Sequence, residues 1–278
     1  MGKGKLFLVS TPIGNLEDIT FRALKTLQEV SLIAAEDTRR VRKILSRYNI
    51  SNRVTSYHQH SELPKGKKIL TELMRGADVA LVSDAGTPGI SDPGYRLVKS
   101  ALEEDVEVVP IPGPNAAVTA LSISGLPTDS FFYGGFLPPK KGERRRKLRL
   151  YQNHTSTLIF HESPHRLIST LEDLYEVLGD RRMAIARELT KIHEEVWRGQ
   201  LKDLMDNIDK LTLRGEFTLV IEGKAKRPQV APLEAATIKD DYQRLREESG
   251  LSQKEAMKQI ARERGISKSE VYKAIVKE

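Results

Sequence analysis

Short apolar runs alternate with amphipathic stretches through the first half of this chain. The apolar runs predict five strands, at residues 6–9, 32–35, 54–57, 79–82 and 106–109. The stretches between them repeat apolar residues at helical spacing and predict helices at 18–30, 38–48, 65–75, 95–104 and 115–123. Strands that alternate with helices are typical of a largely parallel sheet with helices on both faces.

The pattern changes near Ser130. Strand-like runs follow at 131–133, 157–160, 183–186, 195–197 and 217–221, and only two or three clear helices separate them, one at 164–178. Residues 194–199 and 216–222 are predicted to be neighbouring antiparallel strands. We therefore predict a second α/β domain with a mixed sheet.

The C-terminal part of the chain is predicted to be a small helical unit behind a polar linker that contains two prolines. Ser252 and Glu255 have the spacing of a capping box at a helix start. Gly265 then separates this helix from a last one at 268–277, which is a helix-turn-helix pattern; a small packing hairpin is the alternative. The predicted domains are 1–127, 128–224 and 233–278, with the linker at 225–232.

Composition narrows the chemistry. The 278 residues include no cysteine, which excludes thiol nucleophiles, disulfides and cysteine-bound zinc. No apolar run has membrane-spanning length and no signal-peptide pattern is present, so we expect a cytoplasmic protein without a membrane partner.

The formal net charge of +7 is concentrated in one segment. Residues 138–149 carry seven basic side chains against one acid, Glu143, and follow a predicted loop at 134–139. Such a patch suits a polyanion such as RNA, and a solvated helix face is the alternative. The predicted RNA-binding residues are Lys140, Lys141, Arg144, Arg145, Arg146, Lys147 and Arg149.

Three loops rich in glycine and proline follow predicted strands one, four and five, at 10–20, 83–94 and 110–121. The carboxyl ends of parallel strands meet at one sheet edge, where open α/β sheets bind ligands. Neither a G-x-G-x-x-G motif nor a P-loop lysine is present, which argues against a nicotinamide or nucleoside-triphosphate enzyme.

The motifs in these loops resemble those of the RsmI-like family of tetrapyrrole-methylase-type, S-adenosylmethionine-dependent methyltransferases. The resemblance covers about residues 5–224, and it rests on segments 11–15, 35–39, 83–94, 112–117 and 162–166. It implies an enzyme similar to those that methylate the ribose 2′-hydroxyl of a cytidine in the decoding region of small-subunit ribosomal RNA.

The resemblance also implies two α/β domains with S-adenosylmethionine in the cleft between them, in a homodimer. The substrate would be small-subunit ribosomal RNA or the assembled subunit, with no DNA partner. The implied cofactor-binding residues are Pro12, Asp84, Ala85, Gly86, Ile90, Ala117, Val118, His161, Glu162 and Thr218.

Methyl transfer to a hydroxyl requires alignment and removal of a proton. Asp37, after the second strand, is a candidate base or orienting carboxylate, and Arg39 a candidate phosphate ligand. The alternative makes Asp37 a helix cap and Arg39 its ion-pair partner. His165 and Arg166 are further candidates, as a phosphate or ribose clamp or in a structural role.

His58 and His60 form a His-x-His pair beside Glu62, but no third ligand is evident, so no metal site is predicted. Two other functions remain open: the same cofactor fold with a tetrapyrrole or protein side chain as acceptor, and a non-catalytic RNA-binding protein in ribosome assembly. The basic segment favours an RNA substrate.

Overall fold

The computed structural model describes residues 2–58, 62–225, 235–247 and 250–276. The chain divides into two compact units, Met1–Lys224 and Ala225–Glu278. The first unit contains two five-stranded sheets, and the second is helical. Among the described residues, no helix is both long enough and apolar enough to span a membrane.

The first sheet is entirely parallel, as predicted, with strand order β3-β2-β4-β1-β5. Its strands are β1 Leu6–Val9, β2 Leu32–Ala35, β3 Val54–Ser56, β4 Val79–Val82 and β5 Val108–Ile111. Its helices are α1 Phe21–Glu29, α2 Thr38–Arg47, α3 Glu62–Met74, α4 Tyr95–Glu103 and α5 Ala116–Ser124.

Alternate strand residues face opposite helical layers, which explains why the strands are apolar throughout. In β2, Ile33 packs in a core with residues of α1 and α2, whereas Leu32 packs in a second core with residues of α3 and α4. The last strand begins two residues later than predicted. Pro110 is tolerated there because β5 lies at the sheet edge, where a missing N–H does not break a ladder.

The second sheet is mixed, as predicted, with strand order β6-β7-β10-β8-β9. Its strands are β6 Phe131–Phe136, β7 Thr157–Glu162, β8 Arg182–Arg187, β9 Glu195–Gln200 and β10 Phe217–Ile221. Only β6 and β7 pair in parallel; the other pairs are antiparallel. The helices of this part are α6 Lys141–Leu150, α7 Leu167–Leu178 and α8 Leu201–Asp206.

Two details of the second sheet correct the sequence prediction. The strands β9 and β10 are not neighbours, because β8 lies between them and pairs with both. Each residue of β10 is buried, as suits a central strand, while β9 is partly exposed at the edge. Residues 134–136 belong to β6 rather than to a loop, and Gly134 lies against Phe160, whose ring atom Cε1 would be 2.3 Å from an added Cβ.

Helix α5 packs against the second sheet. Ala117, Ala120 and Leu121 share a core with Ile159 of β7 and Val220 of β10. The helix follows the first sheet in sequence and covers a face of the second. It therefore fixes the loop edge of the first sheet beside the second sheet.

The C-terminal unit consists of α9 Ala235–Glu247, α10 Gln253–Arg264 and α11 Lys268–Val276 around a small apolar core. Ser252 and Glu255 form the predicted capping box, and Gly265 ends α10 in the left-handed conformation with φ of 65°. Most of the predicted linker, from residue 226 on, lies outside the described residues.

Candidate active site in the cleft between the sheets

The loops after β1 and β4 are joined by backbone hydrogen bonds. Thr11 and Gly86 exchange N–H to carbonyl bonds in both directions, each 2.9 Å long. The Thr11 hydroxyl also donates to the carbonyl of Ser83 at 3.1 Å. Gly86 has φ of +81°, which favours glycine at this position. The predicted convergence of these loops is confirmed.

The loop after β5 joins them through Asn115. Its side-chain oxygen caps α5 by accepting from the N–H groups of Ala117 and Val118, while its Nδ2 lies 3.4 Å from the Thr87 hydroxyl. Gly113 approaches the first loop closely, since an added Cβ would lie 3.0 Å from Cβ of Ser10. The three loops therefore form one hydrogen-bonded rim.

A cleft of about 360 Å³ lies between this rim and the second sheet. Its volume falls in the usual range of small-molecule sites, about 300–1,000 Å³. Seven of the predicted cofactor residues line it: Asp84, Ala85, Gly86, Ile90, His161, Glu162 and Thr218. Pro12, Ala117 and Val118 do not line it, although their neighbours Ile13 and Ala116 do.

On the side of the second sheet, an aromatic group surrounds His161. The rings of Tyr133 and Phe136 lie 5.4 and 5.6 Å from the His161 ring, and Nδ1 of His161 lies 3.1 Å from the Thr218 hydroxyl. Burial lowers the pKa of His161. This part of the cleft therefore offers a neutral, largely apolar surface.

Glu162 and Arg166 hold the end of β7 on the following helix. The buried Glu162 carboxylate accepts from the N–H of Ser163 at 2.8 Å and from the Thr170 hydroxyl at 2.7 Å. Arg166 donates to it at 3.1 Å and to the carbonyl of Leu137 at 2.5 Å. These contacts favour the structural role for Arg166. His165 is exposed and does not line the cleft.

Asp37 adopts the arrangement of the structural alternative. It caps α2 by accepting from the N–H of Arg39 at 2.8 Å, and the Arg39 guanidinium lies 2.7 Å from its other oxygen. The hydrogen bonds from Arg39 lower the pKa of Asp37 to about 2, which makes it a weak proton acceptor. Neither residue lines the cleft, and the Arg39 side chain is 84% exposed.

Glu36 and Asp92, two acids near Asp84 on the first-sheet side, were not singled out from the sequence. Asp84 accepts from the backbone N–H of Asp37 at 2.8 Å and lies 3.5 Å from Nε of Arg40. Burial, together with the charges of Glu36 and Asp84, raises the pKa of Asp92 to about 7. In the sequence, Asp84 and Asp92 are two carboxylates of one loop, at 83–94. Their proximity to Glu36 depends on how the loops pack and does not follow from the sequence.

The basic segment is only partly available to a ligand. Arg144 is buried and pairs with the buried carboxylate of Asp173 at 2.6 Å, and Arg145 pairs with Asp173 and Glu176. The prediction of RNA contact is therefore corrected for Arg144, because its guanidinium is buried and paired with Asp173. Lys147 donates to the carbonyl of Gly134 at 3.1 Å. Four members of the segment are exposed: Lys140, Lys141, Arg146 and Arg149.

Within the described part of the chain, no group of His, Asp or Glu side chains is arranged to hold a metal ion. His60 lies outside the described residues, so the His-x-His pair is not described.

The geometry defines a small-molecule site at the loop edge of a parallel sheet, closed by a second, mixed sheet. Solved structures with this fold include uroporphyrin-III C-methyl transferase from Thermus thermophilus complexed with S-adenyl homocysteine, at 17% identity and a TM-score of 0.57, covering 79% of this chain and 97% of that one. Diphthine synthase matches with 14% identity and a TM-score of 0.60, covering 79% of this chain and 90% of that one. At these identities the likeness shows the fold alone.

Sequence comparison shows the family. The profile of the Tetrapyrrole (Corrin/Porphyrin) Methylases matches residues 5–205. A relative from Halalkalibacterium halodurans named ribosomal RNA small subunit methyltransferase I is 48% identical over 93% of this chain and 90% of its own length. One of the same name from Thermotoga maritima is 48% identical over 80% of this chain and 99% of its own length. The chain therefore belongs to the tetrapyrrole methylase family and, within it, groups with the proteins named ribosomal RNA small subunit methyltransferase I.

We expect Asp92→Asn to stabilise the protein above neutral pH. The pKa of Asp92 rises from 3.8 in an ordinary environment to about 7 in the fold, so between these values the folded state binds a proton that the unfolded state has lost. The wild-type protein therefore loses stability as pH rises through this window, and the neutral Asn does not. Since Asp92 is only partly buried and solvent screens its neighbours, we expect a gain of roughly 1–2 kcal/mol at pH 8 and none below pH 4.

Urea unfolding of both proteins at several pH values measures this difference. The exposed Asp129→Asn is the matched control, for which we expect equal stability at every pH. A pH-independent difference for Asp92→Asn would contradict the assignment of its environment.

Proposed function

We propose that this chain is an S-adenosylmethionine-dependent methyltransferase that methylates the ribose 2′-hydroxyl of a cytidine in small-subunit ribosomal RNA. The observation that carries the proposal is the cleft formed by the joined loops, in a chain 48% identical over 93% of its length to a protein named for this class of reaction. The cytidine, its ribose oxygen and its position in the decoding region come from the resemblance of the sequence motifs.

The residues of the cleft fit S-adenosylmethionine. The cofactor supplies an electrophilic methyl group on a positively charged sulfonium. The acids Asp84 and Asp92 give the cleft a negative charge that favours a bound cation, while Ile13, Ile90 and Leu189 offer apolar contacts to an adenosine. Ala85 and Gly86 bring the chain to the edge of the cleft without a long side chain. These residues are proposed to hold the cofactor and exclude water from the methyl group.

The RNA is proposed to lie along the exposed basic side chains of α6. This helix is connected to the cleft, because Nζ of Lys147 donates to the carbonyl of Gly134 and lies 3.4 Å from the carbonyl of Phe136, which lines the cleft. A positively charged surface beside the reaction site supports a polyanionic substrate. A tetrapyrrole acceptor carries no phosphate backbone and gains less from this surface.

The proposal includes the organisation that the resemblance implies. The two sheets would be domains, 1–127 and 128–224, in a homodimer located in the cytoplasm. RNA contact by the C-terminal helical unit and phosphate binding by Arg39 or His165, both exposed, are part of the same proposal.

Transfer of radiolabelled methyl from S-adenosylmethionine to unmodified small ribosomal subunits tests the function. We expect label on one cytidine, located on its ribose by nuclease digestion and mass spectrometry. Naked ribosomal RNA, tested in parallel, distinguishes the free RNA from the assembled subunit. Cofactor binding without transfer to either RNA form would contradict the proposal and favour a tetrapyrrole or protein acceptor.

We expect the exposed basic residues of α6, together with Lys140 at its N-cap, to contribute to RNA affinity. Changing Lys140, Lys141, Arg146 and Arg149 together to Gln removes up to four phosphate contacts. The slope of log affinity against log salt concentration should then become shallower by about 3, since each contact contributes about 0.7–0.9. Binding measured at several salt concentrations tests this, and cofactor affinity should not change.

The matched control changes four exposed lysines elsewhere to Gln: Lys25, Lys67, Lys68 and Lys99. Its net charge equals that of the first variant. An equal loss of RNA affinity in both variants would show that only net charge matters, and would contradict a specific contact by α6.

A further inference from the structure

Removal of the acceptor proton requires a group in the cleft that is free to receive it. Glu162 lines the cleft, but its carboxylate already accepts from Ser163, Arg166 and Thr170. Glu216 also lines it and pairs with Lys191 at 3.4 Å. Both carboxylates therefore already have partners within the protein, Glu162 in three donors and Glu216 in the ammonium of Lys191.

The two acids of the loop after β4 differ in whether their carboxylates have ion-pair partners. Asp84 is engaged by the backbone N–H of Asp37 at 2.8 Å and by Arg40 at 3.5 Å. Asp92 lines the cleft as well, and among the ion pairs of the described residues none involves it. The hydroxyl of Ser83 is a hydrogen-bonding neighbour of its carboxylate.

The backbone places Asp92 toward the second sheet. Ser91, directly before it, has φ of +63°, in the left-handed region that is uncommon for a residue other than glycine. The Ser91 hydroxyl lies 2.6 Å from the hydroxyl of Tyr133 on β6, across the cleft. This hydrogen bond connects the Asp92 segment to the opposite side of the site and offsets the strained backbone.

We propose that Asp92 is the catalytic base, which takes the proton of the acceptor hydroxyl, and that Glu36 is a positioning residue that acts on Asp92 through its charge. The inference rests on the proposed function. In the reaction, the hydroxyl oxygen forms a bond to the methyl carbon, the carbon–sulfur bond breaks with its electron pair remaining on sulfur, and the hydroxyl proton moves to the Asp92 carboxylate. Water takes that proton when the products leave.

The groups around Asp92 suit this role. Burial raises the pKa of Asp92 most, and the charges of Glu36 and Asp84 raise it further. The Ser83 hydroxyl and the charge of Arg40 oppose this effect. From β6, Tyr133 faces the same group: burial and, to a smaller extent, the charge of Asp92 raise the pKa of its phenol. A base that titrates near neutrality combines a large ionised fraction with a strong affinity for the proton.

The position of Glu36 brings no evident benefit to the stability of the fold. Its Oε2 atom is buried and has no hydrogen-bond partner, an arrangement that costs free energy. Burial and the charge of Asp84 raise the pKa of Glu36. The cost is explained if Glu36 serves to keep Asp92 basic.

The test begins with the protein alone. We expect the carboxyl carbon of Asp92, followed by carbon-13 NMR and identified by its absence in Asp92→Asn, to titrate near pH 7. In Glu36→Gln the midpoint should move to lower pH, because one neighbouring charge is removed. Asp129→Asn is the control and should leave it unchanged. Titration of Asp92 at the ordinary pH of an aspartate would overturn the inference.

Methyl transfer to small ribosomal subunits is the second readout. Asp92→Asn should lower kcat by about a hundredfold or more. Calorimetry should show S-adenosylhomocysteine bound within a few-fold of wild type, because this product lacks the sulfonium charge that Asp92 attracts. The acid limb of the wild-type rate profile should follow the Asp92 titration and move to lower pH in Glu36→Gln.

The two proposals fail in different ways. If the wild-type protein methylates the RNA and Asp92→Asn does so at the same rate, Asp92 is not the base and the proposed function stands. If the wild-type protein binds the cofactor but methylates no RNA, the proposed function fails and the inference fails with it.

Discussion

The packing of α5 on the second sheet is the constraint on which the site depends. Small residues of this helix, Ala117 and Ala120, share a core with β7 and β10, while its N-terminus is capped by Asn115 in the loop after β5. The same helix is thus part of the loop rim and of the second sheet's core. The cleft has its size and its two chemically different sides because α5 fixes one sheet against the other.

The rim itself is held by backbone rather than by long side chains. The paired Thr11 and Gly86 peptides, and the contact of Asn115 with Thr87, leave the loops little freedom before a ligand arrives. Binding to such a preorganised site loses less conformational entropy than binding to flexible loops. The glycines contribute by permitting the close approach of backbone to backbone, as at Gly113.

The acid group on the other side of the rim has the opposite effect on stability. Glu36, Asp84 and Asp92 repel one another and are partly desolvated, and the structure keeps them together. A local arrangement that lowers stability without a packing benefit is typical of functional sites. The aromatic surface around His161 contrasts with these acids, since burial lowers the pKa of His161 and favours its neutral form.

Much of the fold followed from the sequence because its signals are local. Period and loop composition located each of the ten strands in the described residues, and β1, β2, β4 and β10 have the predicted bounds. The strand order of the second sheet has no such local signal. In the structure β8 lies between β9 and β10, and the spacing of residues 194–199 and 216–222 gives no indication of a strand between them. Register and neighbour choice depend on the burial of whole faces.

The same distinction applies to the site. Loop residues such as Asp84 and Gly86 were predictable because their position after a parallel strand fixes where they lie. The roles of charged residues were not predictable, because they depend on partners distant in sequence. Asp173 pairs with Arg144 from 29 residues away. Asp37 is the exception: its helix cap and its ion pair with Arg39 were one of the two predicted alternatives, because Arg39 lies only two residues away.

Calorimetric binding of S-adenosylhomocysteine to the wild-type protein and to Gly86→Val tests the central claim that the joined loops form the cofactor site. Gly179→Val is the matched control, because Gly179 also has φ of +81° but ends α7 and does not line the cleft. Wild type and Gly179→Val should bind, and Gly86→Val should bind at least tenfold more weakly, because its valine strains the rim and occupies the cleft. Equal affinity of all three folded proteins, or no binding by wild type, would contradict it.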